Sequence, residues 1–248
     1  MSQTGRASSS RQSAGSPAVY DYLRRLNAQS LRQFWRVDGE GLDHLQRFDA
    51  GILAFNHGHL VDGTVVMPLV PRRILFLCDA RAVDAPILGH ILKAMGILRV
   101  DVMRPDSAGA LAAVRASGTE RLLGIFPEGR VNGRAGLLPA RPGVAYLAAK
   151  LGLPVLPVTI WGVEAFNRPA DVYIRRLRPV IHVRVTPPQT VAARVDDRQA
   201  VRAAADAIML LIARQLPPAL RGAYREGTER HERGVRALAA GHVRPAIC

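Results

Sequence analysis

Lysine is almost absent from this 248-residue chain. It occurs only at Lys93 and Lys150, so all but two of the 34 basic residues are arginine. Acidic residues number 20, which leaves a formal charge of +14 at pH 7. A field this positive favours anionic partners, and the planar guanidinium suits phosphates in particular. Aromatic residues are scarce, at 5%, and no familiar nucleic-acid-binding module is present, so nucleic acid is not the expected partner. Two cysteines, Cys78 and Cys248, make no disulfide framework, which points to the cytosol. No apolar run approaches the ~18 residues of a membrane-spanning helix. The first 18 residues, rich in Ser, Gly, Gln and Arg, lack the apolar core of a secretory signal and read as a disordered tail.

What is present is an ordinary globular composition, 48% hydrophobic and 22% charged, in a chain long enough for one α/β domain. Short apolar runs predict strands at Ile52–Phe55, Arg73–Cys78, Ile97–Val100, Leu122–Phe126, Val155–Ile160 and Val180–Val185. Helix-like stretches at Pro86–Met95, Ser107–Ala116 and Pro142–Leu151 fall between them, the first and last opening on proline. Strand–helix alternation predicts a largely parallel sheet flanked by helices, an αβ sandwich. Val201, Ala205, Ile208 and Ile212 recur at helical spacing, so Asp197 to Leu216 reads as an amphipathic helix. The expected organisation is a tail over 1–18, an N-terminal amphipathic helix region over 19–47, the main domain over 48–216 and a basic tail over 217–248. In Val19–Arg36, Leu23, Leu26, Leu31, Phe34 and Trp35 form one apolar side among Arg24, Arg25, Arg32 and Arg36. That pattern fits a helix packed on the body and equally one lying on a membrane surface.

Two polar clusters follow two of the apolar runs. Asn56-His57-Gly58-His59-Leu60-Val61-Asp62 comes directly after Ile52–Phe55, and Phe126-Pro127-Glu128-Gly129-Arg130 after Leu122–Ile125. A histidine just past a buried strand sits at the sheet's carboxyl edge, where open α/β sheets bind ligands. An aspartate five positions on can turn back and hold one imidazole nitrogen, leaving the other to take a proton as a general base. Asp62 also precedes the helix-like Gly63–Met67 and has the chemistry of an N-cap.

Together these segments resemble the glycerolipid acyltransferases, the enzymes that acylate glycerol 3-phosphate or lysophosphatidic acid. His57 and Asp62 match that family's His-x4-Asp motif. Phe126 to Arg130 matches its Phe-Pro-Glu-Gly motif with following arginine, and Leu156-Pro157-Val158 its Val-Pro-Val-like strand. Gly96-Ile97-Leu98-Arg99-Val100-Asp101 corresponds to a glycine-led block in which the family places an arginine where this chain has Val102. Arg104 is the nearest substitute. The resemblance runs from about Gly51 to Ile160. It implies that His57 is the base and Asp62 its partner, and that Glu128, Gly129, Arg130 and Arg104 hold a phosphorylated glycerolipid acceptor. Arg134 and Arg141 are further candidate phosphate contacts. The donor it implies is an acyl thioester, on coenzyme A or acyl carrier protein, with no metal or bound cofactor. It further implies a cytoplasmic protein associated peripherally with the anionic inner face of the cell membrane.

Two alternatives stay open from the residues themselves. His57, His59 and Asp62 are possible ligands of a metal-dependent hydrolase, although their spacing is not that of the His-x-His-x-Asp-His motif. The acceptor could also be a lipid without a phosphate.

Overall fold

A computed structural model describes residues 16–79, 97–100, 122–133 and 136–239. The expected helices Pro86–Met95 and Ser107–Ala116, the first 15 residues, Val102, Arg104, Arg134 and Cys248 lie outside the described residues.

Helix α1 (Pro17–Phe34) opens with proline in its first turn, where the missing N–H costs nothing. Strand β1 (Arg36–Glu40) and the short helix α2 (Leu42–Arg47) follow. Then come β2 (Gly51–Phe55), α3 (Asp62–Val66), β3 (Ile74–Asp79), β4 (Leu98–Val100) and β5 (Leu122–Ile125). The second half contains α4 (Gly143–Leu151), β6 (Val155–Trp161), β7 (Val180–Val185), α5 (Arg198–Gln215) and α6 (Arg225–Ala239).

Among the described residues the sheet runs β1-β7-β6-β2-β5-β3-β4. Every neighbouring pair is parallel except β6 with β7. The expected mostly parallel, helix-flanked sheet is therefore what the chain forms, with β7 and β1 reversed at one edge. Every residue of β2 is buried, as a central parallel strand covered on both faces requires. Leu53 and Phe55 face the layer containing α1 and α3, with Tyr20, Trp35, Val65 and Val66. Ile52 and Ala54 face α4 and α5, through Val144, Ala148, Ile208 and Ile212. Asp197 caps α5, its Oδ1 accepting from the N–H groups of Gln199 and Ala200, both at 2.9 Å. That end of the helix is where the apolar spacing had placed it.

Strand β1 was not foreseen. Its five residues, Arg-Val-Asp-Gly-Glu, are all exposed or half-buried, so the ladder to β7 rather than apolar alternation holds it. α1 is fixed by Tyr20, Leu31 and Trp35, all buried, while Leu26 is turned outward and half-exposed. The stretch expected as a basic tail also differs. Up to Glu232 it is docked by Arg221, which is buried, donates to the Leu216 carbonyl at 3.0 Å and pairs with Glu232 at 2.8 Å. Thr228 is fully buried beside it and accepts from Arg221. Polar anchors of this kind leave no apolar periodicity to read.

Candidate active site

Strand adjacency creates the site. β2 and β5 are parallel neighbours with Ala54 opposite Ile125, so the residues leaving their carboxyl ends emerge side by side. Two clusters 71 positions apart meet there: the backbone N–H of His57 donates to Glu128 Oε1 at 2.7 Å. From the same loop, the Asn132 N–H donates to the His57 carbonyl at 2.7 Å. β6 flanks β2 on the other side. Asn56, buried, pins that junction through both ends of its amide, donating to the Ile160 carbonyl and accepting from the Ile160 N–H, each at 2.7 Å. The His57 peptide thus cannot shift without breaking contacts to two neighbouring strand ends.

The imidazole is placed as firmly as the backbone. One face stacks on Phe126, with ring centroids 4.0 Å apart and planes at 23°. Nδ1 lies 3.3 Å from Asp62 Oδ2, a contact that orients the ring more than it binds tightly. A proton on Nδ1 directed at that carboxylate leaves the Nε2 lone pair available, and Nε2 has no partner among the described residues. The His57 side chain is 17% exposed, so the ring is held yet reachable.

Asp62 is wholly buried. Oδ2 also accepts the His59 N–H at 2.8 Å, while Oδ1 is buried without a partner among the described residues. Instead of capping α3, the carboxylate turns back across the His59–Asp62 turn. Burial pushes its pKa above the ordinary carboxylate value, against the opposing pull of His57 and the His59 N–H. Glu128, also buried, receives three donors: His57 N–H on Oε1, and Asn132 Nδ2 and the Leu138 N–H on Oε2, both at 2.8 Å. Burial still raises its pKa, with those hydrogen bonds opposing.

Gly129 has φ +68°, and a Cβ there would fall on the Arg141 side chain. Glycine therefore satisfies both the left-handed turn and the packing of Arg141 over it. Arg130 is exposed, and among the described residues its guanidinium makes no hydrogen bond or ion pair. The structure thus brings His57, Asp62, Glu128 and Gly129 into one constellation, with Arg130 leaving it toward solvent.

His59 does not converge with His57. Its Nδ1 accepts the Val61 N–H at 3.3 Å and its Nε2 faces Asn167 Oδ1 at 3.1 Å, so one tautomer satisfies both. Among the described residues no three His, Cys, Asp or Glu side chains are grouped closely enough to hold a metal. The hydrolase alternative has no ligand set there.

Sequence reasoning missed four contributors. Asn132 was signalled only by its place four residues after Glu128. The Leu138 N–H, Asn167 and Tyr224 carried no signal. Tyr224 matters through a chain of contacts: its hydroxyl accepts the Ala140 N–H at 2.8 Å and donates to Asp206 Oδ1 at 2.7 Å. Burial and Asp206 push that phenol well above its usual range. The Leu137 N–H donates to the Leu220 carbonyl at 3.0 Å, and the Ala223 N–H to the Leu137 carbonyl at 2.8 Å. A Cβ on Gly222 would collide with the Leu137 backbone. The C-terminal segment therefore clamps 136–141, and 136–141 supplies the Leu138 N–H to Glu128.

The sequence profile of the acyltransferase family matches residues 36–161, over half of the chain and the whole span from β1 to β6. The chain belongs to the acyltransferase family. Among named relatives it is 26% identical over 139 residues to the chloroplastic 1-acyl-sn-glycerol-3-phosphate acyltransferase BAT2 of Brassica napus, covering 54% of this chain and 39% of that one. It is 25% identical over 146 residues to human 1-acyl-sn-glycerol-3-phosphate acyltransferase beta, covering 56% and 51%. The chain thus spans about half or less of the length of these relatives. The crystal structure of the 1-acyl-sn-glycerophosphate (LPA) acyltransferase PlsC from Thermotoga maritima has the same fold, with a TM-score of 0.57. Identity there is 16%, over 86% of this chain and 79% of that one.

Proposed function

We propose that this acyltransferase moves a fatty acyl group from a thioester, carried by coenzyme A or acyl carrier protein, to a hydroxyl of a glycerol-phosphate or lysophospholipid acceptor. The observation that carries the reading is the His57 ring, stacked on Phe126 with Nδ1 toward buried Asp62 and its peptide clamped by Glu128 and Asn132. In this mechanism His57 Nε2 takes the acceptor hydroxyl proton as the oxygen attacks the acyl carbonyl carbon. The carbonyl oxygen carries the negative charge of the tetrahedral intermediate. Collapse reforms the carbonyl and breaks the C–S bond, and the thiolate leaves with the proton held by His57. Asp62 stabilises the transient imidazolium, and no protein nucleophile is required. General-base catalysis supplies about 10²–10⁴-fold, with orientation and charge stabilisation contributing the rest.

Arg130, exposed beside the constellation, and Arg104 are the proposed cations for the acceptor phosphate. Arg104→Ala is expected to raise the acceptor KM and spare that of the donor, by the roughly 1.5–3 kcal/mol of a lost charge-assisted hydrogen bond. Among the described residues no helix is long and apolar enough to cross a membrane, and the proposed approach to lipid is peripheral, at the inner face of the cell membrane. The deciding experiment is mass-spectrometric detection of products from acyl-CoA or acyl carrier protein donors offered with glycerol 3-phosphate, lysophosphatidic acid and uncharged lyso-lipids. A phosphate-bearing product that His57→Ala abolishes supports the reading. Acylation of uncharged acceptors alone would move the arginines out of the site, and no acyl product from any pair would end it.

A further inference from the structure

Eight large apolar side chains are exposed among the described residues, and three of them fall within five positions of the β6–β7 crossover: Tyr173, Ile174 and Leu177. Ile174, at 79%, is the most exposed of all. Every residue of Tyr173-Ile174-Arg175-Arg176-Leu177-Arg178 is exposed, so apolar and cationic groups share one short tip. Arg176 and Arg178 have φ of +53° and +47°, a left-handed backbone that costs energy outside glycine and marks a shape maintained by its surroundings.

The back of the crossover is firmly fastened. Val172 is fully buried, Phe166 stacks on Trp35 at 4.1 Å, and Tyr173 meets Phe34 edge-on at 5.0 Å. The Arg178 guanidinium donates to the carbonyls of Arg32 and Trp35, at 3.0 and 3.1 Å. At its other end Asn167 meets His59, two residues from His57, and Leu60, next along, is itself 68% exposed. A tip with a rigid back and a bare apolar front is built to be covered by something. Asp171 is shared by Arg168 and Arg175, the latter at 3.0 Å, and Arg176 has no protein partner among the described residues, so the segment keeps a net positive charge that selects an anionic cover.

The geometry points to residues 173–178 as the element that docks this protein on an anionic lipid surface, Ile174 and Leu177 entering the acyl region while Arg175 and Arg176 meet lipid phosphates. The choice of a bilayer over another anionic partner rests on the acyl-transfer reading, because the crossover is tied to the His57 loop through His59. α1 then contributes a flank, through Val19, Tyr22 and Leu26, and the crossover is the principal contact.

Co-sedimentation of the full chain with vesicles tests this. The vesicles are pure phosphatidylcholine, or phosphatidylcholine mixed equally with phosphatidylglycerol. Ile174→Ser with Leu177→Ser is expected to weaken partitioning into the mixed vesicles by about tenfold per side chain. Arg175→Gln with Arg176→Gln should erase the preference for phosphatidylglycerol and the loss of binding at high salt. Tyr22→Ser with Leu26→Ser should weaken binding less than the crossover pair. Transfer from a short-chain, water-soluble acyl-CoA should be unchanged in the crossover variants, which separates the docking from the reaction. If no acyl transfer is found but vesicle binding follows the crossover, the docking stands and the proposed reaction fails. Equal vesicle binding by Ile174→Ser/Leu177→Ser and the parent overturns the inference. So does a dimer, seen by light scattering without vesicles, that the same variant abolishes, because the cover would then be a second copy.

Discussion

The His57 N–H donates to Glu128 Oε1 across 71 residues, at 2.7 Å. The hydrogen bond joins the two motif-bearing loops into one rigid corner, and it makes Glu128 a support of the His57 peptide. Both carboxylate oxygens are already engaged by protein donors, which limits what Glu128 can offer to a substrate.

Glu128→Gln is expected to lower kcat about 10- to 100-fold and leave the acceptor KM within about threefold. The amide replaces one acceptor oxygen with a donor, so at least one of three part-buried N–H groups loses its partner, at about 1–3 kcal/mol. Steady-state kinetics with the acceptor varied decides the matter. A large rise in acceptor KM at constant kcat would instead make Glu128 a substrate contact.

Asp62→Asn separates stability from activity. The Asp62 pKa is raised in the folded protein, chiefly by burial. Its contribution is therefore fully present below the ordinary carboxylate value and is lost as pH rises through the raised one. The asparagine variant escapes that loss. Its Tm relative to the parent should climb as pH is taken from about 4 toward neutrality, while acyl transfer falls about 10²–10⁴-fold with the base's partner gone. Parallel Tm–pH curves for the two proteins would show that Asp62 does not titrate with folding.

How much of this was legible in the sequence depends on what holds each part. β7 was read with the boundaries it has, Val180–Val185, because Ile181, Val183 and Val185 bury one face and alternate visibly. The His57 and Glu128 loops were found because buried strands ended in unusual polar clusters. β1 was invisible because its ladder is made of backbone groups that any sequence supplies. The same holds for the Leu138 N–H, and for the Arg178 contacts that fasten the crossover to α1. Arg221 and Thr228 read as residues of a basic tail, since nothing local reveals that polar atoms 5 to 11 residues apart will pair inside. Local pattern located the two loops that meet at His57 and Glu128, and long-range polar contacts decided their scaffold.

His59→Ala should be mild where His57→Ala is not. The ring of His59 serves Val61 and Asn167, and its backbone N–H, which the substitution keeps, is what meets Asp62. Activity is expected to stay within about tenfold of the parent, because both ring contacts are made away from the His57 imidazole and are worth about 0.5–1.5 kcal/mol each in stability. His57→Ala should lose about 10²–10⁴-fold and remain folded by circular dichroism. Equal, complete loss in both variants together with stoichiometric zinc by metal analysis would restore the hydrolase reading.

Tyr224→Phe tests whether the C-terminal clamp reaches His57, the proposed base. The phenol accepts from Ala140 and donates to Asp206, so its removal strands the Ala140 N–H and leaves the half-exposed Asp206 carboxylate to water. A cost of about 1–3 kcal/mol corresponds to a Tm lower by roughly 2–12 °C for a domain of this size. The clamp holds 136–141, and 136–141 delivers the Leu138 N–H to Glu128. At a temperature where the variant is folded, kcat should therefore still be reduced, by about 3- to 10-fold at the ~1 kcal/mol of one weakened hydrogen bond, with substrate KM values unchanged. Asp206→Asn should lower Tm less, since its amide oxygen still accepts from the phenol, and should leave kcat near the parent value. A Tyr224→Phe protein with reduced Tm but full kcat when folded would confine the clamp to stability. A loss shared by kcat and KM alike would place the disturbance in the substrate pocket instead of behind the base.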